Sequence, residues 1–399
     1  MLNLQQLRND TPGVQHRIHL NNAGAALPPK PVLEAAQLHL KLEAEIGGYE
    51  AAALAREDSI GFYESVGQLL RAQPGHIAWS CSATAAYNTA LSAIPFEAGD
   101  TIVTTDDDYV SNQIAFLQLA KLHGLNICRA RTLPTGGADP GHLRQLIRKH
   151  QPKLVAVTHV PTNSGLVQEV RGIGEHCRAQ GGYYLVDACQ SAGQLPLNVQ
   201  ELHCDFLSAT FRKFLRGPRG AGFLYVSQRV LDEGLEPQFM DLHSATWASP
   251  DTYRPKDSAL RFETWERSYA LVRAARAATN YALGLGIDEI AGRVDHLARY
   301  LRQRLSEIDG VRVLDQGQQL CGIVSISVEG WAANAITPAL QSRKVNASVS
   351  VRQGGAVIDL GKKGVDWVLR LSPHYYNTEE ELAAAAAVLE ELLHQKSTT

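Results

Sequence analysis

Between Ile77 and Val226 the sequence repeats one pattern, and that pattern limits the folds open to it. Short apolar runs, IAWSC (77–81), TIVTT (101–105), NICRA (126–130), LVAVTHV (154–160) and YYLVD (183–187), alternate with amphipathic stretches near 111–123, 141–150 and 172–180. Runs that are apolar throughout have no face to give to water, so they read as strands buried on both sides. Strands alternating with helices predict βαβ units and a mainly parallel sheet covered by helices. Such sheets take ligands beyond the carboxyl ends of their strands. The polar groups Ser82–Thr84, Asp108–Tyr109, His159–Asn163, Asp187–Gln190 and Thr210–Lys213 all follow strand-like runs, which puts five loops on one rim.

Other classes fall away on composition. The 399 residues are long enough for a large domain and a smaller one, and the formal net charge of −3 offers no electrostatic footprint for nucleic acid or an acidic membrane. Cys81, Cys128, Cys177, Cys189, Cys204 and Cys321 form no CxxC pair or His-linked metal spacing, so no metal site is expected and reduced thiols are. No GxGxxG fingerprint follows the first strand, and no GxxxxGK[ST] loop occurs. The start MLNLQQLRND lacks the basic and apolar regions of a signal peptide, and no apolar run approaches the ~20 residues a membrane helix needs. A cytoplasmic protein is expected.

One lysine and one aspartate give the rim its chemistry. Lys213 lies in SATFRKFLRGPRGAG, between an apolar run (205–209) and a Gly-rich loop leading into another (223–226). Desolvation there favours the neutral, nucleophilic amine. Asp187 closes the run YYLVD twenty-six residues earlier. A lysine able to form a Schiff base and a carboxylate able to pair with a pyridinium nitrogen are what pyridoxal 5'-phosphate requires of its protein.

The segments LNNAGAALPP, SATAAYN, DYVSNQIAF, THVPTNSG, VDACQSAGQLPL, SATFRKFLRGPRGAGFLYV and RLSPHYYNTEEEL, in that order, resemble the class V aminotransferase family. That group also holds cysteine desulfurases, C–S lyases and isopenicillin N epimerase-like enzymes. The resemblance implies an α/β fold with a large pyridoxal phosphate domain (31–265), a smaller C-terminal α+β domain (266–399) and an N-terminal segment (1–30) that reaches the active site. It places Ala83, Thr84, Thr210 and Arg212 around the cofactor phosphate, and Tyr109 over the ring where many members have His. Thr162, Asn163 and Gln190 fall near the phenolic oxygen, with Asp187 at the ring nitrogen and Lys213 as the covalent anchor and base. Arg370 grips the substrate carboxylate, with Asn22 and Ala23 nearby. Apart from the resemblance, Arg352 and Ser350 sit in a Gly-flanked loop, VSVRQGG, that is expected to reach the substrate. The irregular stretch 237–265 is expected to cross a homodimer interface near the active sites.

Departures from the family bear on the reaction. Desulfurases carry a nucleophilic cysteine before the carboxylate-binding arginine, and no cysteine follows Cys321 here. Trp265 and Glu266 stand where a Gly-Thr pair usually completes the phosphate site in trans. The expectation is a lyase or transferase acting at the α-carbon of a small amino acid, with β-elimination first and transamination or racemisation as alternatives. A non-catalytic sensor on the same fold would be marked by loss of Lys213 or Asp187, and both are present.

Overall fold

A computed structural model describes residues 2–397 of the chain; residues 1, 398 and 399, at the outer ends of the expected first and last segments, lie outside it. The alternating region forms a seven-stranded sheet. Its strands are β1 (Ile77–Ser80), β2 (Thr101–Thr105), β3 (Asn126–Ala130), β4 (Leu154–Thr158), β5 (Tyr183–Asp187), β6 (Phe206–Thr210) and β7 (Gly222–Val226). They lie side by side in the order β1-β7-β6-β5-β4-β2-β3. All pairs are parallel except those made by β7, which runs antiparallel to β1 and β6. Every residue of β2, β4, β5, β6 and β7 is buried, as continuous apolar runs demand.

Two apolar layers enclose this sheet. On one side Val155, Val157, Val186 and Leu207 pack with Phe62, Val66 and Ala275; on the other Ile102, Ala156, Leu185 and Phe206 meet Tyr87, Leu91 and Phe116. Burial of each such large apolar side chain stabilises by about 1.5–3 kcal/mol, so these layers outweigh exposed ion pairs such as Lys41–Glu45, worth roughly 0–1 kcal/mol. The helices supplying them include α1 (Lys30–Ile46), α2 (Arg56–Leu70), α3 (Ala83–Ala93), α4 (Val110–His123), α5 (Pro140–His150), α6 (Ile173–Ala179) and α7 (Tyr269–Leu285).

After α8 (Ile287–Ser306) the chain builds a four-stranded antiparallel sheet in the order β8-β9-β11-β10: β8 (Val311–Val313), β9 (Val324–Val328), β10 (Ser348–Val351) and β11 (Trp367–Leu371). It has its own apolar cluster around Leu301, Ile326, Leu369 and Leu389, the last from α10 (Glu379–Ser397). The Gly-flanked stretch VSVRQGG starts inside an edge strand, Ser348–Val351, and not in a loop, and Val357–Lys362 forms a short helix, α9. The stretch 237–265 is likewise not irregular throughout, since Ala245–Ser249 and Thr252–Pro255 pair as an antiparallel hairpin.

The amino-terminal segment is tied to this second sheet. Ile18–His19 pairs in parallel with Val345–Asn346, and Asn21 bridges Ser372. That stitching brings Asn22 and Ala23 to the same rim as the loops of the large sheet.

Candidate active site

Neighbouring strands bring the two key groups together. Asp187 is the last residue of β5, pairs in register with Ser208 of β6, and Lys213 lies three residues beyond the end of β6. The turn after β5 and the turn carrying the lysine touch at Gly193. A Cβ there would lie 2.5 Å from the Phe214 carbonyl carbon, and its φ of +92° is one that glycine adopts readily. Arg216 fixes the lysine turn from below. Its guanidinium donates to Leu27 O at 2.8 Å, Tyr375 Oη at 2.8 Å and Thr11 Oγ1 at 2.6 Å, and lies 4.5 Å from the Tyr376 ring centre. A buried guanidinium without such partners costs several kcal/mol, so this one holds the turn in a single geometry.

Lys213 is 5% exposed, and among the described residues no acceptor or ion-pair partner is found for its Nζ. Burial pushes the ammonium below its usual range; Cys189 and Asp187 oppose this, while Arg212 and Arg370 add to it. Asp187 is 3% exposed and accepts from Asn112 Nδ2 at 3.0 Å and the Cys189 N–H at 2.9 Å. Asn112 also donates to Asp108 at 3.0 Å, and Asp108 further accepts from Thr158 Oγ1 and from Gln113 Nε2 at 2.7 Å. Burial raises the Asp108 carboxyl above its usual range, and these hydrogen bonds counter it. Asp108 follows a strand-like run as expected, whereas Asn112 and Thr158 have no place in the sequence reading. The signal for Asn112 was a polar residue four positions after Asp108 on the first turn of α4, where both reach the same side.

Around this pair the expected residues gather unequally. The Tyr109 ring centre is 6.0 Å from Lys213 Nζ, on the rim. Ser82 caps α3 by accepting from the Ala85 N–H at 3.0 Å, and among the described residues no partner is found for the Ala83 and Thr84 N–H groups. A helix N-terminus of this kind suits a phosphate. The loop can come so close to β7 because residue 222 is glycine: a Cβ there would lie 2.7 Å from Ser82 C and 2.8 Å from Ala83 N. Thr210 is buried and its hydroxyl donates to Ala221 O at 3.3 Å. Gln190 donates to Ala23 O at 3.1 Å and Thr162 Oγ1 at 3.4 Å, while its own Oε1 is buried without a donor. Asn163, the residue after Thr162, is also buried.

Arg370 donates to Thr162 O at 2.6 Å and Ser348 Oγ at 2.9 Å, and its Nε is buried without a partner. Burial, helped by Arg212, lowers this guanidinium to about 10. Among the described residues no carboxylate pairs with it, so a buried cation offers an open donor to an anion. Arg212 donates to the Gly24 carbonyl, beside the amino-terminal segment.

Three of the expected substrate contacts are engaged elsewhere within the single chain. Arg352 pairs with Asp366 at 2.7 Å beyond the far end of β10 from Ser348, which is the residue opposite Arg370, and so stands off the site. Asn22 spends its side chain on His19 O, Ser372 O and the Tyr376 hydroxyl. The Ala23 N–H donates to Ser372 Oγ and its carbonyl accepts from Gln190. Asn22 and Ala23 therefore shape the wall and have no free donor for a carboxylate.

The residues present fit pyridoxal phosphate. A buried unpartnered amine, a buried carboxylate fixed by two donors, open amides at a helix start and an orphaned amide oxygen on Gln190 are the complements of its aldehyde, ring nitrogen, phosphate and protonatable rim. The chain belongs to the class V aminotransferases: the family profile described as Aminotransferase class-V matches residues 18–384. It is a pyridoxal-phosphate-dependent enzyme of that family. Its sequence is 28% identical over 396 residues to a probable cysteine desulfurase of Methanothermobacter thermautotrophicus, covering 97% of this chain and 98% of that one. It is 27% identical over 338 residues to the isopenicillin N epimerase of Streptomyces clavuligerus, covering 80% of each. The apo cysteine desulfurase of Thermococcus onnurineus NA1 superimposes with a TM-score of 0.91 at 26% identity, covering 99% of both chains. The cystine C–S lyase C-DES, solved with its product cysteine persulfide, shares the fold at a TM-score of 0.84 and 22% identity, over 96% of this chain and 99% of that one.

Proposed function

We propose that the protein catalyses β-elimination from a cysteine-type amino acid, releasing a sulfur-bearing leaving group without passing it to a protein thiol. Bound pyridoxal phosphate supplies a ring that stabilises negative charge at the substrate Cα. Asp187, held by Asn112 and the Cys189 amide, keeps a proton on the ring nitrogen. Arg370 holds the substrate carboxylate with its open Nε edge. Lys213 would hold the cofactor, and its burial, which disfavours the ammonium, suits its amine to take the Cα proton. The Cβ–S bond then breaks with its electron pair leaving on sulfur, and hydrolysis of the remainder yields pyruvate and ammonia.

One observation carries this reading: a complete lysine, aspartate and arginine set stands in a chain with no cysteine after Cys321. The desulfurase-named relatives support a sulfur substrate, and the missing thiol supports direct release. The test is incubation with single sulfur amino acids. Pyruvate together with free sulfide, thiol or persulfide supports it; a keto acid formed only when a second keto acid is added means transamination instead. The epimerase relative favours a second reading, racemisation, which would show as solvent deuterium at Cα with no pyruvate.

We further propose a cytoplasmic homodimer, with residues 31–265 and 266–399 as its large and small domains. The dimer is supported by apolar side chains that the single chain leaves in water around the hairpin: Trp247 is 79% exposed and Phe239 84%. Among the described residues no helix is long and apolar enough to cross a membrane.

A further inference from the structure

The short helix α9 belongs to the second sheet by sequence but docks on the rim of the first. It lies between two glycines in left-handed conformation, Gly354 at φ 75° and Gly364 at φ 66°, and the Arg352–Asp366 pair ties the base of the excursion. Lys362 Nζ is 2.6 Å from Asp106 Oδ2 and 2.8 Å from Thr132 Oγ1. Lys363 Nζ is 2.7 Å from Asp359 Oδ1. Asp359 in turn meets Asp107, and both are buried, at 8% and 7% exposure.

The two carboxyl groups are within hydrogen-bonding reach of each other, which two ionised carboxylates cannot exploit. No N–H or O–H of the described residues reaches the buried Asp359 Oδ2, so a proton on Asp107 is the donor at hand. Charge balance agrees. Three carboxylates, Asp106, Asp107 and Asp359, face two ammonium groups, Lys362 and Lys363, and one added proton brings the cluster to zero. Asp108, next in sequence, is satisfied separately by Thr158, Asn112 and Gln113; Asp315, on the strand-connecting loop behind, is held by Arg302.

The cluster borders the chemistry. Asp107 is two residues from Tyr109, and its carbonyl accepts from Gln168 Nε2 at 2.9 Å. Ser164, which follows Asn163, lines with Asp107, Asp359 and both lysines a cavity of about 90 Å³. The helix thus touches the loop that carries Tyr109 and shares a cavity with the loop that carries Asn163.

We propose that α9 is a hinged clasp on the active-site rim, held shut by one proton shared between Asp107 and Asp359 and released when that proton leaves. Shut, it joins the loops after β2 and β4. Once both carboxylates are ionised the cluster carries a net negative charge under the helix, and the glycine hinges let it lift. Burial, reinforced by the Asp359 carboxylate and opposed by Lys363, raises Asp107 to about 7, so the change falls near neutral pH.

Hydrogen–deuterium exchange of residues 357–362 in the holoenzyme, corrected for the chemical exchange rate at each pH, tests this without any turnover, and so independently of the β-elimination reading. Protection in the wild type should fall at least tenfold between pH 6 and pH 8.5. In Asp107→Asn, whose amide donates at every pH, it should stay at the pH 6 level. Equal wild-type protection at both pH values overturns the proposal, as does a fall in Asp107→Asn matching the wild type. Should that variant fail to fold, Asp359→Asn supplies the donor from the other side and carries the same comparison.

Discussion

Lys213 is the side chain on which most of the chemistry converges. Replacing it with alanine removes both anchor and base, and is expected to lower kcat by at least ~10³-fold. Product assays with the variant reconstituted in excess cofactor measure this. Arg370→Gln deletes a charged contact worth about 1.5–3 kcal/mol, so kcat/KM should drop roughly 10- to 100-fold with the cofactor spectrum unchanged. The pH dependence has a definite sign: burial disfavours the ammonium, so Lys213 frees its amine below the range of an exposed lysine. Cofactor uptake by the apoprotein, followed by absorbance, should therefore gain its full rate below pH 10.5. Lys213, Asp187 and Arg370 were legible because each interrupts an apolar run at a strand end with a group that must have a reason to be there. Arg352 misled for a related cause: the glycines after it read as a loop free to reach the substrate, whereas Asp366 holds it at the other end of the strand.

At the scale of elements, strand β7 decides how tightly the phosphate end can be built. Gly222→Ala drives a methyl group into the backbone at Ser82 and Ala83. Overpacking of this kind costs about 1–3 kcal/mol, and the larger loss is expected in cofactor affinity, since the displaced amides are the ones offered to the phosphate. Titration of the variant with pyridoxal phosphate, beside its thermal unfolding, separates the two. The first turn of α10 carries a different dependence. Arg293 and His296 hold Glu379 at about 2, below its usual 4.5. A depressed carboxyl stabilises above pH 4.5 and loses that contribution as pH falls through about 2. With its side chain 32% exposed, solvent screening leaves roughly 1 kcal/mol. Glu379→Gln should be less stable than the wild type by that amount at pH 7 and indistinguishable from it near pH 2 in urea unfolding. The strands of the large sheet were readable because burial on both faces writes an unbroken apolar run. Strand β10, on an edge and half in water, has the weak alternation SVSV and was lost among its neighbours.

For the whole molecule, the exposed hairpin gives the dimer proposal its test. Sedimentation should return twice the 43.5 kDa chain mass, and Trp247→Lys should shift it toward the monomer while leaving the folded core intact. The order of the large sheet is beyond what its strands reveal singly, since an antiparallel β7 inserted between β1 and β6 depends on long-range pairing. The parallel bridge between Ile18–His19 and Val345–Asn346, with Asn21 against Ser372, has a consequence during synthesis. The wall residues Asn22 and Ala23 leave the ribosome long before the backbone that anchors them, around Val345–Asn346 and Ser372. A nascent chain halted before Ser372 can lay down the large sheet with its lysine in place while one side of its cavity stays unbuilt, so the emerging enzyme meets its amino-acid substrate in a finished pocket only after Ser372 has been added.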